Sequence, residues 1–105
     1  MYESKLRSKQ RAALRGVAMK IDPILHIGKG GVIDTLIKQA DDVLTARELI
    51  KVKVLETCEY DAREAANILS DTLQCEVIQV IGSRIVLYRR NPEKGQYDDY
   101  LGQKS

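Results

Sequence analysis

The sequence predicts an α/β protein, an α+β sandwich in which a mixed four-stranded sheet carries three helices in the order α-β-α-β-α-β-β. Three observations favour this fold. Apolar residues recur at helical spacing in three separate segments, the segment ELIKVKV at residues 48–54 alternates with period two, and two β-branched runs flank Gly82-Ser83. A chain of 105 residues is long enough for one domain and too short for two ordinary ones.

The first half of the chain predicts two helices and one strand. Residues 3–19 place Leu6, Leu14 and Val17 on one apolar stripe with most Lys and Arg residues off it, which indicates the first helix. Asp22-Pro23 ends that helix, and the short apolar run at 24–27 indicates a buried strand. Helical periodicity resumes from residue 32 to about residue 45.

The second half predicts one more helix and three strands. After the alternating strand that starts near Glu48, Asp61 and Glu64 have capping-box spacing and begin a helix with an alanine- and leucine-rich stripe. The runs 77–81 and 85–88 are joined by a Gly-X pair, which predicts an antiparallel hairpin. Both strand–helix–strand crossovers should be right-handed and leave their strands parallel.

Composition favours a globular protein with an uneven charge distribution. The chain has no Trp and no Phe, so its core must be largely aliphatic. The net charge is only +2, but residues 1–20 carry six basic residues against one acidic residue, and the remainder is therefore net negative. Such asymmetry is typical of a polyanion binder, although a merely solvated helix face would produce the same pattern.

Several classes of protein are disfavoured. Cys58 and Cys75 form no disulfide framework or zinc-ligand spacing, and both are most simply inert thiols. The first ten residues lack the apolar core of a signal peptide, and no apolar run approaches the ~20 residues that span a bilayer. We therefore expect a reduced, cytoplasmic protein with no cofactor, no metal and no membrane partner.

The segment HIGKGG at residues 26–31 is the main functional candidate. A glycine-rich turn between a strand and a helix lets a ligand approach the backbone, and the helix N-terminus together with Lys29 favours an anion. Both nucleotide-binding glycine patterns fail here on spacing. The remaining pattern, G-x-x-G at 28–31, is the one that clamps a nucleic-acid backbone in KH-type modules, although a plain structural turn is equally compatible with it.

Taken together, the basic first helix, the IGKGG loop, the ELIKVKV strand and the closing VIGSRIVLYR hairpin resemble the CRM domain (chloroplast RNA splicing and ribosome maturation), in its stand-alone bacterial YhbY type. The resemblance covers about residues 2–91. It implies a fold similar to the C-terminal domain of translation initiation factor three, RNA binding through the G-x-x-G loop and an adjacent basic surface, and association with precursors of the large ribosomal subunit. Leu73-Gln74-Cys75 departs from the glycine-containing turn of the family.

The resulting expectation is a monomeric, non-enzymatic RNA-binding protein, with residues 1–91 as the CRM-like domain and residues 92–105 as a flexible tail. The predicted RNA-binding residues are Gly28, Lys29, Gly30, Gly31, Lys5, Arg7, Lys9, Arg11 and Arg15. His26 is expected to have a structural role, by packing or by backbone hydrogen bonding, with an RNA contact as the secondary alternative. Arg84 is expected to protect a sheet edge, and Lys51, Lys53, Arg89 and Arg90 are left open. The alternative is a small nucleotide- or phosphorylated-ligand-binding protein that uses the same loop.

Overall fold

A computed structural model describes residues 2–93, 95–98 and 101–102, and it contains the seven predicted elements in the predicted order. The helices are α1 (Ser8–Ala18), α2 (Asp34–Arg47) and α3 (Ala62–Leu73), and the strands are β1 (Leu25–Ile27), β2 (Leu49–Val54), β3 (Glu76–Ile81) and β4 (Arg84–Tyr88). The predicted mixed sheet with three helices is confirmed. The largest boundary difference is α1, which begins at residue 8 rather than residue 3.

The sheet has the strand order β1-β2-β4-β3. β1 pairs with β2 in parallel, and β4 is antiparallel to both of its neighbours, β2 and β3. β2 and β3 consequently run in the same direction, as the crossover argument predicts, although they are not adjacent. β4 is an interior strand, so the expectation that Arg84 protects a sheet edge is wrong.

The two faces of the sheet bury separate aliphatic clusters. α2 and α3 cover one face with a large cluster that includes Leu44, Leu69 and, from the sheet, Ile50 and Leu87. On the opposite face, α1 packs Leu14 and Ala18 against the sheet residues Leu49, Val86 and Tyr88. Alternation along β2 therefore directs the side chains of Lys51 and Lys53 to the α1 face.

Local turn chemistry agrees with the sequence at two of the three turns that it singled out. Asp61 caps α3 by accepting a 2.8 Å hydrogen bond from the Glu64 amide. Gly82 has a φ of +55°, as the first central residue of a type II′ hairpin turn requires. At the end of α3, Gln74 occupies the left-handed region (φ +53°, ψ +57°) where a glycine is favoured, so the helix ends normally but with some backbone strain.

The described part of the segment expected to be a flexible tail packs against the end of the sheet at which β4 finishes. Two buried carboxylates hold it: Asp98 forms an ion pair with Arg90 at 2.7 Å, and Glu48 accepts hydrogen bonds from the backbone amides of Asn91 and Gln96. Leu101 is buried against α1. Mobility of residues 92–105 stays a prediction, and residues 94, 99–100 and 103–105 lie outside the described chain.

Candidate nucleic-acid interface

Three loops meet at one end of the sheet. The segment 28–31 follows β1, whose last residue Ile27 is in register with Val54 at the end of β2. The Val54 amide donates a 2.7 Å hydrogen bond to the Ser83 carbonyl in the β3–β4 turn. We call this end, which carries the glycine loop, the loop following β2 and the hairpin turn, the loop end.

The glycine loop is a tight turn with its cation at the tip. The Gly31 amide donates a 2.9 Å hydrogen bond to the Gly28 carbonyl, so Lys29 and Gly30 are the two central residues. Both are exposed. α2 begins at Asp34, two residues later than the glycine pattern suggests, because the Ile33 amide first bonds the Gly31 carbonyl. Asp34 lies in the first turn of α2, where its carboxylate competes with an incoming anion for the helix dipole.

The fold itself requires glycine at only one of the three loop positions. Gly31 has a φ of +68°, and a Cβ there would lie 3.2 Å from the Tyr60 ring. At Gly28 and Gly30, by contrast, φ lies outside the left-handed region and a Cβ would meet its nearest neighbours at an ordinary 3.6 Å. Two glycines thus have no internal explanation, which is the pattern expected where an external chain approaches the backbone.

Apolar side chains support the loop from beneath. A Cβ at Gly28 would contact Leu55, and a Cβ at Gly30 would contact Ile33. Ile33 is 51% exposed, and Leu55 and Tyr60 are each 37% exposed, although all three are large and apolar or aromatic. Leu55, Ile33 and Tyr60 therefore lie against the glycine loop and also remain accessible to a ligand.

Arg11, one of the predicted RNA contacts, is instead used inside the protein. Its guanidinium forms a 3.2 Å ion pair with Glu76 and donates to the Val77 carbonyl. The Glu76 side chain is 5% exposed. It also accepts hydrogen bonds from the hydroxyls of Tyr2 and Ser4 and from the Lys5 amide. This buried carboxylate thus fixes the N-terminal segment on β3.

The start of α1 lies in the corner of the sheet diagonally opposite the glycine loop. β3 and β1 are at opposite edges, three strand spacings of ~4.8 Å apart. Register places Glu76 beside Tyr88, and six residue steps of ~3.3 Å separate that row from Gly28. The two corners are therefore about 24 Å apart. The structure does not bring the exposed side chains of Lys5, Arg7 and Lys9 together with the loop.

The structure defines the surroundings of four cations that are not among the predicted RNA contacts. Arg89 pairs with Asp41 at 2.8 Å and Arg90 with Asp98, so both guanidiniums have internal partners. Lys53 and Arg84 are directly paired across β2 and β4 on the α1 face, beyond the part that α1 covers. Sequence alternation identifies the face of Lys53, but only the strand order reveals that Arg84 is its neighbour.

His26 belongs to the same row. It is in register with Lys53 across β1 and β2, and its side chain is exposed rather than packed into the core. Of the two structural roles predicted for His26, packing into the core is therefore wrong. Its exposure follows from alternation, since Leu25 and Ile27 on either side contribute to the cluster beneath α2 and α3.

Neither catalytic nor metal chemistry is indicated by the described residues. Within them, no group of three or more His, Cys, Asp or Glu side chains is placed to hold a metal ion. Cys75 is fully buried, and burial raises the pKa of its thiol to about 12, so it is a poor nucleophile. No helix in the described ranges has the length and apolar character of a membrane-spanning segment.

The family model for the CRS1/YhbY (CRM) domain matches residues 6–89, which contain all seven elements and the glycine loop. This chain belongs to the CRM domain family. "Probable RNA-binding protein YqeI" of Bacillus subtilis is 44% identical over 93 residues, covering 89% of this chain and 97% of the relative. An "RNA-binding protein" of Haemophilus influenzae is 30% identical over 88 residues, covering 84% of this chain and 89% of the relative.

A solved structure has the same fold as this CRM domain. The solution structure of SAV1595 from Staphylococcus aureus matches with a TM-score of 0.70 and 52% sequence identity, covering 81% of this chain and 88% of that one. The matches cover between 88% and 97% of the length of these three proteins. The CRM domain therefore accounts for most of each of them. The family and fold expected from the sequence motifs are thereby confirmed.

Proposed function

We propose that this CRM domain is a non-enzymatic RNA-binding protein whose G-x-x-G loop contacts the RNA backbone. The observation that carries the proposal is the pair of glycines, Gly28 and Gly30, at positions where the fold itself would accept a side chain. Lys29 sits between them at the exposed tip of the turn. The names of the relatives, which describe RNA-binding proteins, support the same ligand.

The loop recognises phosphate by backbone approach and charge. Without Cβ atoms at 28 and 30, a sugar–phosphate strand reaches the main chain of the turn closely enough for hydrogen bonds to backbone amides. Lys29 then neutralises one phosphate, which releases a counterion and makes binding dependent on salt. These contacts position RNA but carry no base sequence, so the loop alone supplies affinity rather than sequence specificity.

The biological setting follows from the family resemblance. We propose that the protein acts as a monomer in the cytoplasm during assembly of the large ribosomal subunit, where precursor rRNA offers structured backbone. Co-sedimentation of the tagged protein with large-subunit precursors in a sucrose gradient checks this role. If the tagged protein stays entirely in the ribosome-free fractions at the top of the gradient, in lysates in which precursors are abundant, this role is contradicted.

The loop is tested by the double variant Lys29→Asp, Gly30→Asp. A Cβ at Gly30 meets only Ile33 at 3.6 Å and Lys29 is exposed, so circular dichroism and the melting temperature should stay near wild type. Binding to a large-subunit rRNA fragment should be abolished, because two carboxylates that repel phosphate replace the Lys29 cation and the side-chain-free position at Gly30. Lys38→Asp with Gln39→Asp, two exposed positions on α2, is the matched control.

Two results contradict the proposal. One is RNA affinity of the folded loop variant equal to that of the control. The other is stabilisation of the wild type by ATP or GTP in a thermal-shift screen that shows no stabilisation by RNA, which would favour a small-nucleotide site at the same loop.

A further inference from the structure

The α1 face of the sheet is only half covered. α1 packs over the rows of Tyr88 and Val86. Beyond them, towards the loop end, the next row on this face holds His26, Lys53, Arg84 and Ile81 in adjacent strands. His26 and Arg84 are exposed, and Ile81 is 60% exposed. We call this row, together with the half-exposed Lys51 and Gln79 that flank the buried Val86 in the row behind it, the open half of the sheet.

The open half carries an unbalanced positive charge. Lys53 and Arg84 are directly opposite each other on antiparallel strands, an arrangement that destabilises a sheet when the two charges are alike. Within the described ranges, neither cation has a carboxylate within 4.0 Å, whereas Arg11, Arg89 and Arg90 are each paired. Nothing in the fold gains from this pair, which indicates that an external anion compensates it.

α1 carries one more cation, Arg15, which lies one turn after Arg11 on the same flank of the helix and is half-buried. On that flank Arg11 bonds Glu76 and the Val77 carbonyl, at the end of the sheet at which β4 finishes. The open half of the sheet therefore does not include Arg15.

The cations that share this side of the molecule thus form one continuous track. Gly28, the first residue of the glycine loop, lies two residue steps, or roughly 7 Å, beyond the row of Lys53 and Arg84. The row of Lys51 lies another ~7 Å towards α1. The track therefore extends for roughly 14 Å along the strands, from the glycine loop to Lys51.

We infer that the open half of the sheet binds the phosphate backbone of base-paired RNA, continuing the contact made by the glycine loop. This rests on the proposed RNA-binding function and assigns the second contact surface to Lys53, Arg84 and Lys51 instead of the start of α1. The charge selects a polyanion, and the length of the track selects a chain rather than a single phosphate group.

The lack of a stacking platform selects paired over unpaired RNA. Proteins that hold single strands stack bases on aromatic side chains. Of the described aromatic residues, Tyr2 bonds Glu76, Tyr88 and Tyr97 form an edge-to-face pair beneath α1, and Tyr60 lies against Gly31. None of these four lies in the open half, where His26 is the one described aromatic ring and the other members of the row are cationic or aliphatic, so the surface has no series of rings on which successive bases could stack. Such a surface recognises helical RNA by its backbone and shape.

The test uses the double variant Lys53→Met, Arg84→Met, in which methionine keeps much of the apolar stem. Relief of the like-charge pair should leave the melting temperature equal to or above wild type. Each lost phosphate contact lowers affinity by about eightfold at 0.1 M salt, so the variant should bind a 20-base-pair RNA duplex about sixtyfold more weakly. The log–log salt dependence should become shallower by about 2.

A matched control removes the same charge elsewhere. Lys38→Met with Arg63→Met changes two exposed cations on α2 and α3, which cover the opposite face of the sheet. We expect its affinity to stay within about threefold of wild type, since only long-range charge is lost. In competition, the duplex should displace bound RNA at least tenfold more effectively than an unstructured single strand of the same length.

The outcomes separate this inference from the proposed function. If the Lys53, Arg84 variant binds like the control while Lys29→Asp, Gly30→Asp does not bind, the loop function stands and the sheet surface is refuted. Equal competition by single-stranded RNA refutes the preference for paired RNA. If both the loop variant and the sheet variant retain wild-type affinity, both proposals fail.

Discussion

Replacing Arg11 by methionine should destabilise the protein. Its effect on RNA affinity should be no larger than the effect of removing any other single surface cation. The guanidinium pairs with Glu76 at 3.2 Å and bonds the Val77 carbonyl. Removing one partner of a fully buried pair costs about 3–5 kcal/mol. Here Arg11 is 27% exposed. Glu76 also keeps its bonds from Tyr2, Ser4 and Lys5. We therefore expect a loss of about 2 kcal/mol in the free energy of unfolding.

The assay is urea unfolding followed by circular dichroism, together with RNA affinity measured at a temperature where the variant is folded. A loss of 2 kcal/mol lowers the melting temperature by about 8–16 °C in a domain of this size. Lys9→Met, an exposed cation on the same helix, is the control and should change stability by less than about 0.5 kcal/mol. The structural role of Arg11 would be refuted if Arg11→Met were as stable as the wild type and lost more RNA affinity than Lys9→Met.

Four further predictions concern the backbone and the thiols. Gly16→Ala should raise stability by about 0.5–1 kcal/mol in thermal melts, since Gly16 lies inside α1 and the added Cβ would meet nothing within 4 Å apart from its chain neighbours and the backbone of its own helix. A lower melting temperature would contradict this. Gln74→Gly should stabilise by about 1 kcal/mol, because Gln74 has left-handed dihedral angles, and an unchanged urea midpoint would count against strain there. At pH 8 a thiol reagent should label half-buried Cys58 but not Cys75 until the protein unfolds. Burial raises the pKa of the Cys75 thiol to about 12, above its ordinary value of 9.0, so the stability that the buried thiol contributes is complete below pH 9 and is lost as the pH rises towards 12. Cys75→Ala should therefore make the free energy of unfolding less dependent on pH between 9 and 12. A pH profile of unfolding equal to that of the wild type would contradict this.

The elements that follow local periodicity were predictable, and the places where the prediction failed have long-range causes. β2, α3 and the Gly82 turn follow from alternation, capping and turn chemistry within a few residues of sequence. The start of α1 does not, because the extended course of residues 2–6 is set by Glu76, more than 70 positions away. No helical pattern contains that information.

The candidate site was predictable in part for the same reason. The G-x-x-G loop is local, and its place between β1 and α2 follows from the sequence. Whether Lys53 faces solvent depends on how far α1 extends across the sheet, and whether Arg84 is its neighbour depends on strand order. The charge of residues 1–20 indicated a basic arm, but Arg11 became internal because a buried carboxylate on β3 faces it.

RNA binding by the glycine loop and the open half of the sheet is tested most directly by mapping amide chemical-shift changes in labelled protein titrated with a 20-base-pair RNA duplex. If RNA binds the glycine loop and the open half of the sheet, the largest changes should occur at Gly28–Gly31 and at Lys53 and Arg84, with small changes at residues 5–11. Large changes at residues 5–11, with the glycine loop unaffected, would contradict it.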